Sequence, residues 1–386
     1  MLSASIIFYI NISGFSGFCV ITFEAIYTYL IGLYLHNAVT AKKLRSGKAL
    51  LLLCLAPIIL SLIYFRYLGF IESLIGPNFH WAFKLTNNFS RFNFINSIIC
   101  PLGISFFAFE FSHYLVDVYK GGMPIKSPLY FSLFALFYPR LASGPIIRYQ
   151  QIIPQINDLP ELHIEDVSVG LNRICLGFLK KFALADPCET LVTNVFHPQN
   201  ILTGTDVIWL SFLLYVRIYM DFGGYSDMAI GIARIWGIRL PENFNFPFLA
   251  ASPSDFWRRW HITLSTWIRD YIYIPLGGGR VSIFRKSSNL LIAMALCGLW
   301  HGASWNFVLW GIVHGIALQV GHGIAPLGKF LKTRFNKFSF LERSISVIIL
   351  CLGWVLTQSF VGLSWILFFY PIDVTLKILN HLKLFV

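Results

Sequence analysis

SNLLIAMALCGLWHGASWNFVLWGIVHGIALQVGHG, Ser288 to Gly323, runs for 36 residues without an Asp, Glu, Lys or Arg. As one helix it would be about 54 Å long, at about 1.5 Å per residue. A bilayer's hydrocarbon core is only about 30 Å thick. The segment must therefore tilt strongly, break or turn back, and the break is expected at Gly302-Ala303-Ser304. Irregular backbone at membrane depth is tolerated only where protein buries it or where it lines a wet cavity. That places His301 at the edge of such a cavity. Gly298 and Gly302, like Gly311 and Gly315, are four apart, which permits close helix contact.

Just upstream, Pro241 to Arg280 is too polar to span and too aromatic for an ordinary loop. At about 100° per residue, Phe256, Trp257, Trp260, Leu264, Trp267, Ile268 and Tyr271 fill one arc of roughly 120°. Arg258, Arg259, Arg269 and Asp270 fall opposite, with His261 on the boundary. This pattern predicts one interfacial helix over Asp255–Tyr271, its tryptophans at headgroup depth and its arginines toward water or phosphate.

The same chemistry extends along the chain. Of 386 residues, 56% are apolar and only 12% charged, against about 25% charged in a soluble domain. So few charges cannot cover a soluble core of this size, and a soluble fold, a disordered chain and a nucleic-acid binder are all excluded. The expected class is an all-α polytopic membrane protein. Further spans are expected at Ile6–Leu35 (one tilted or two short), Ala49–Ile71, Ile95–Tyr119, Leu129–Ile147, Val167–Leu184, Val207–Met220, Met228–Ile238 and Ser344–Tyr370. That makes nine to eleven membrane elements, with a loop over Gly76–Asn93. No period of 20 to 50 residues repeats, and one domain over residues 1–386 is the simplest organisation.

The net charge of +12 fits Lys42, Lys43, Arg45 and Lys48, and the Arg258–Lys286 stretch, facing the cytoplasm. The other reading is that some of these cations meet an anionic donor or lipid headgroups. Seven scattered cysteines, with no C-x-x-C pair or Cys/His cluster, support neither a disulfide framework nor a metal site. Met1–Ile10 has no Lys or Arg before its apolar stretch, which argues for a retained first anchor over a cleaved signal.

A histidine inside a membrane segment points to function by default, the alternative being a helix-to-helix hydrogen bond. For His301 the functional reading is preferred. His314, about 220° further round a continuous helix, is read as structural. Arg217 and Asp221, four apart, are expected to pair on one helix face. No G-x-S-x-G elbow, Walker loop or H-E-x-x-H motif occurs.

Several runs then resemble one family. They are Met220-Asp-Phe-Gly-Gly-Tyr-Ser-Asp-Met-Ala229, Pro241-Glu-Asn-Phe-Asn-Phe-Pro247, Phe256-Trp-Arg-Arg-Trp-His-Ile-Thr-Leu-Ser265, Arg269-Asp-Tyr-Ile-Tyr-Ile-Pro-Leu-Gly-Gly278 and Leu299-Trp-His-Gly-Ala303. Upstream, Pro101–Phe107, Tyr114–Tyr119 and Pro139–Pro145 also fit. Together, over roughly residues 60 to 320, the chain resembles membrane-bound O-acyltransferases (MBOATs) of the alginate O-acetyltransferase type.

The resemblance implies a ring of tilted and broken helices around a central intramembrane cavity. It implies His301 as the catalytic histidine and His261 as the second family position. Trp300, Arg258, Arg259, Arg269, Asp221 and Asn243 are the candidate donor- or acceptor-binding residues, with no metal and no bound cofactor. The expected donor is acetyl-CoA or another acyl thioester. The expected acceptor is a hydroxyl of an envelope polysaccharide, or of a periplasmic esterase-like or transferase-like partner protein, at a bacterial inner membrane. Two features depart from the pattern: a shorter N-terminal part, and Trp354-Val-Leu-Thr-Gln358 where an Arg is expected. The rival readings are a carrier or flippase, and a family scaffold without activity.

Overall fold

The computed structural model describes residues 1–41, 47–75, 100–141, 143–158, 161, 163–334 and 339–385. Lys42, Lys43 and Arg45 of the basic run, the loop expected over Gly76–Asn93 and the start of the span expected at Ile95 lie outside the described residues. Among the described residues the regular structure is all helical. Five helices among the described residues are long and apolar enough to cross a membrane: Leu2–Thr40, Lys48–Ile75, Gly204–Ile235, Trp305–Ile324 and Val347–Phe369. Their outer faces are apolar as well, with Phe23, Leu53 and Leu356 about 70% exposed. A surface of that kind needs lipid as its solvent. The chain is an all-α multi-pass membrane protein.

It forms two compact units, Met1–Ile174 with Ala229–Pro241, and Cys175–Met228 with Glu242–Val386. In the first, helix α1 (Leu2–Thr40) is hinged at Gly14, whose φ of 73° leaves the helical region. The one-or-two alternative over Ile6–Leu35 thus resolves as two helical segments meeting at the Gly14 kink. Helix α2 (Gly47–Leu62) continues through a π-helical turn, Ile63–Tyr67, into α3 (Leu68–Ile75). In that turn Arg66 donates to Ser105 Oγ at 2.8 Å. Helix α4 (Ile104–Tyr119) packs Phe111 and Tyr114 against Phe131, Phe134 and Tyr149, while Phe107 meets Tyr9 edge-on.

The span expected over Leu129–Ile147 is not one helix. Helix α5 (Pro128–Ala135) stops before a 3-10 turn, Tyr138–Arg140, and extended chain leads to α6 (Tyr149–Asn157). Pro139 has no N–H to continue a ladder, and Arg140 turns inward to pair with buried Glu110.

Helix α7 (Ile164–Phe178) runs through a second π-helical turn, Leu179–Ala185, into α8 (Asp186–Asn194). Helix α9 (Gly204–Ile235) is continuous where two separate segments were expected. Its polar centre stays helical because the charges are met from outside. Lys181 lies 2.7 Å from Asp221, and Lys180 lies 2.6 Å from Asp227. The i, i+4 pair expected between Arg217 and Asp221 does not form, since Arg217 pairs with Glu189 instead.

The second unit adds α10 (Pro253–Arg259), α11 (Ile262–Ile268), α12 (Ile283–His301), α13 (Trp305–Arg334), α14 (Ser339–Phe369) and α15 (Ile372–Asn380). The single interfacial helix expected over Asp255–Tyr271 is two short ones, broken at Trp260–His261 where His261 has φ 40°. The apolar arc is also turned inward rather than to lipid: Phe256, Trp260, Leu264 and Trp267 are buried within the protein. The cysteines are all free.

Candidate active site

Helix α12 ends at His301, Gly302 is extended, and α13 starts at Trp305. The break falls where the length argument put it. Gly302 is required there, because a Cβ would run into the Phe307 ring. His301 is thereby held half-buried at a helix C-terminus. Its ring lies 4.9 Å from Trp300, 5.4 Å from Trp310 at a right angle, and 5.1 Å from Phe368.

Trp300 also reaches the second histidine, its ring 6.1 Å from that of His261. His261 is only 1% exposed, and its ring meets Phe222 edge-on at 4.6 Å. Its Nδ1 lies 3.3 Å from Asn243 Oδ1, while Nε2 has no partner among the described residues. Asn243 is itself fully buried. Its Oδ1 accepts from Thr263 Oγ1 at 2.6 Å, and its Nδ2 donates to Ser226 Oγ at 3.2 Å. Burial first, and the neighbouring His301 second, push the His261 pKa well below the ordinary histidine value. The site therefore holds a neutral imidazole.

A cavity of about 260 Å³ is lined by Trp257, Arg258, Arg269, Met294, Cys297 and His322, among others, and His301 is not one of its lining residues. Leu290, Met294, Cys297 and His301 follow at spacings of four, three and four, so they share one face of α12. The cavity lies along the face that ends at His301. Arg258 and Arg269 are mostly exposed, with Asp255 and Asp270 beside them. Arg259 bonds Asp255 at 3.0 Å and Asn245 O at 3.3 Å. Asp221, a candidate from the sequence, is tied to Lys181.

His314 makes a helix-to-helix bond of the kind its structural reading expects. Its Nε2 bonds Ser364 Oγ at 3.0 Å, joining α13 to α14. Sequence reasoning missed Ser226 and Thr263, the anchors of Asn243. They lie 17 and 20 residues from it, beyond any local pattern.

The sequence model of the MBOAT, membrane-bound O-acyltransferase family, matches residues 58–366. The probable alginate O-acetylase AlgI of Pseudomonas aeruginosa is 36% identical over 340 residues, covering 86% of this chain and 62% of that protein. The peptidoglycan O-acetyltransferase of Helicobacter pylori is 34% identical over 333 residues, 79% of this chain and 59% of that one. The teichoic acid D-alanyltransferase of Bacillus subtilis is 30% identical over 240 residues, 58% and 59% of the two chains. The chain thus spans about 60% of the length of these curated relatives. With this match across the break at His301 and the paired histidines, the chain belongs to the membrane-bound O-acyltransferase family.

Proposed function

We propose that the chain is an O-acyltransferase of the bacterial inner membrane, moving a short acyl group from a thioester to a hydroxyl. The observation that carries this reading is His301 at the end of a broken helix, with neutral His261 one tryptophan away. His301 takes the proton of the attacking hydroxyl as general base. The hydroxyl oxygen bonds to the thioester carbonyl carbon, the C–S bond breaks, and the thiol leaves with a proton. A helix C-terminus stabilises positive charge, which favours a proton acceptor at His301.

The donor is acetyl-CoA or another acyl thioester. Its acyl arm suits the apolar cavity along α12, and Arg258, Arg259 and Arg269 are the cations that would meet its phosphates. The relatives named for alginate, peptidoglycan and teichoic acid all point to an envelope polymer as acceptor, directly or through a periplasmic partner protein. Two of these three names specify acetyl, which favours acetyl over D-alanyl here. In this reading residues 1–386 act as one domain, with the basic Arg258–Lys286 stretch toward the cytoplasm.

The test is transfer of labelled acetyl from acetyl-CoA by membranes carrying His301→Gln. Removing a general base lowers turnover by about 10²- to 10⁴-fold, with protein levels near normal. His314→Gln, which alters a helix-to-helix bond, keeps most activity. Retention of more than about a tenth of wild-type transfer by His301→Gln, less than the smallest loss expected, excludes it as the base.

A further inference from the structure

We propose that Asn243 is the positioning residue of His261, accepting its Nδ1 proton and so keeping Nε2 as the bare, hydrogen-accepting nitrogen of the site. The purpose of this arrangement rests on the acyltransfer reading; its geometry does not.

The Asn243 amide is engaged at both ends, and its oxygen is the end turned toward Thr263 and His261. Nδ2 donates to Ser226 Oγ at 3.2 Å, and Oδ1 accepts from Thr263 Oγ1 at 2.6 Å. Oδ1 is also the atom 3.3 Å from His261 Nδ1. An amide oxygen only accepts, so the nitrogen facing it carries the hydrogen. A neutral imidazole has one N–H, and Nε2 is then a lone pair. It is buried and has no partner among the described residues. The chemical group that completes it is an O–H or S–H donor brought by a substrate.

The backbone holds this arrangement firmly. Ile262 N donates to Asn243 O, and Asn245 N donates to Arg259 O, both at 2.9 Å. These two bonds clamp residues 243–245 across the break between α10 and α11. At that break His261 takes a φ of 40°, and Phe246 a φ of 46°. Left-handed backbone at two non-glycine residues carries strain that persists only where the surroundings over-determine it, as they do at functional sites. Asn243, a donor- or acceptor-binding candidate from the sequence, is fully buried, and each of its amide groups already has a protein partner.

The test is solid-state NMR of the full chain, labelled with [15N]histidine, in lipid vesicles. A His261→Gln sample assigns the His261 signals by difference. Wild type is expected to show protonated Nδ1 and bare Nε2. Asn243→Leu is expected to lose this single tautomer and to lower kcat by about 10- to 100-fold, the range for partners that orient metal-bound histidines, with KM little changed. Asn243→Asp, which still accepts from Nδ1, restores the tautomer. Protonated Nε2 in wild type overturns the proposal even if neither Asn243 variant folds, and so does an unchanged tautomer in Asn243→Leu. Should wild type show the stated tautomer but transfer no acyl group, the acyltransfer reading fails and the role of Asn243 stands.

Discussion

Gln358 serves three groups at once. Its Nε2 donates to Pro247 O at 3.2 Å and Ala250 O at 2.8 Å, and its Oε1 accepts from the Tyr215 hydroxyl at 3.1 Å. Trp354 Nε1 reaches the same loop at Phe248 O, 2.7 Å away. An Arg was expected in this region from the family pattern, and neutral residues tie the loop to α14 instead. Gln358→Leu leaves two carbonyls and a phenol without these partners, and a buried polar group left unsatisfied costs about 1–3 kcal/mol. The variant should therefore unfold at a clearly lower temperature in detergent, followed by intrinsic tryptophan fluorescence. Gln358→Arg, which keeps donors toward the carbonyls and loses only the Tyr215 bond, should fall less. Equal midpoints for wild type and Gln358→Leu would show the loop is held by other contacts. At this scale the sequence reveals His301, because a charge-free run too long for the bilayer must break near it. It hides the surroundings of His261, since Ser226, Asn243 and Thr263 meet only after folding.

Between elements, the contact of α12 with α13 turns on glycines whose roles differ. A Cβ on Gly298 would collide with the Phe307 carbonyl oxygen, and one on Gly311 with that of Met294. Backbone cannot yield as a side chain does. At Gly315 the nearest atom is Leu291 Cδ2 at 3.1 Å, the movable end of a side chain. Overpacking a tight core costs about 1–3 kcal/mol. Gly298→Ala and Gly311→Ala should each reduce thermal stability by that order, while Gly315→Ala should be close to neutral. Equal effects from all three, measured on protein in one detergent, would remove the backbone-contact explanation. The four-residue spacing announces a close helix pair but not which glycines face backbone. The helical wheel of Asp255–Tyr271 identifies the buried residues for a related reason. Apolar periodicity reports what avoids water, whereas a φ of 40° at His261 depends on the clamp from residues 243–245 and leaves no periodic trace.

For the molecule as a whole, composition alone settles lipid as the solvent, and burying a titratable ring in such a protein ties its stability to pH. His261 has a folded-state pKa well below the ordinary histidine value, chiefly through burial and then through His301. An unfolded chain takes up that proton near pH 6.5, while the native chain does not until the pH is well below that. The unfolded state therefore binds more protons as pH falls beneath about 6.5, and stability declines in that direction. The contribution is complete above the unfolded value and is progressively lost below it. A single such group gives a slope of at most about 1.4 kcal/mol per pH unit. Thermal midpoints of the detergent-solubilised protein, measured from pH 8 to pH 5, should hold level to about pH 6.5 and then fall. His261→Gln has no such proton to take up, so its midpoint should decline less steeply over the same acid range. Comparing the two slopes cancels the other titrating groups they share. Parallel slopes would mean that the His261 ring accepts its proton in the folded protein as readily as in the unfolded chain. That would contradict both its burial and the bare Nε2 on which the role of Asn243 depends.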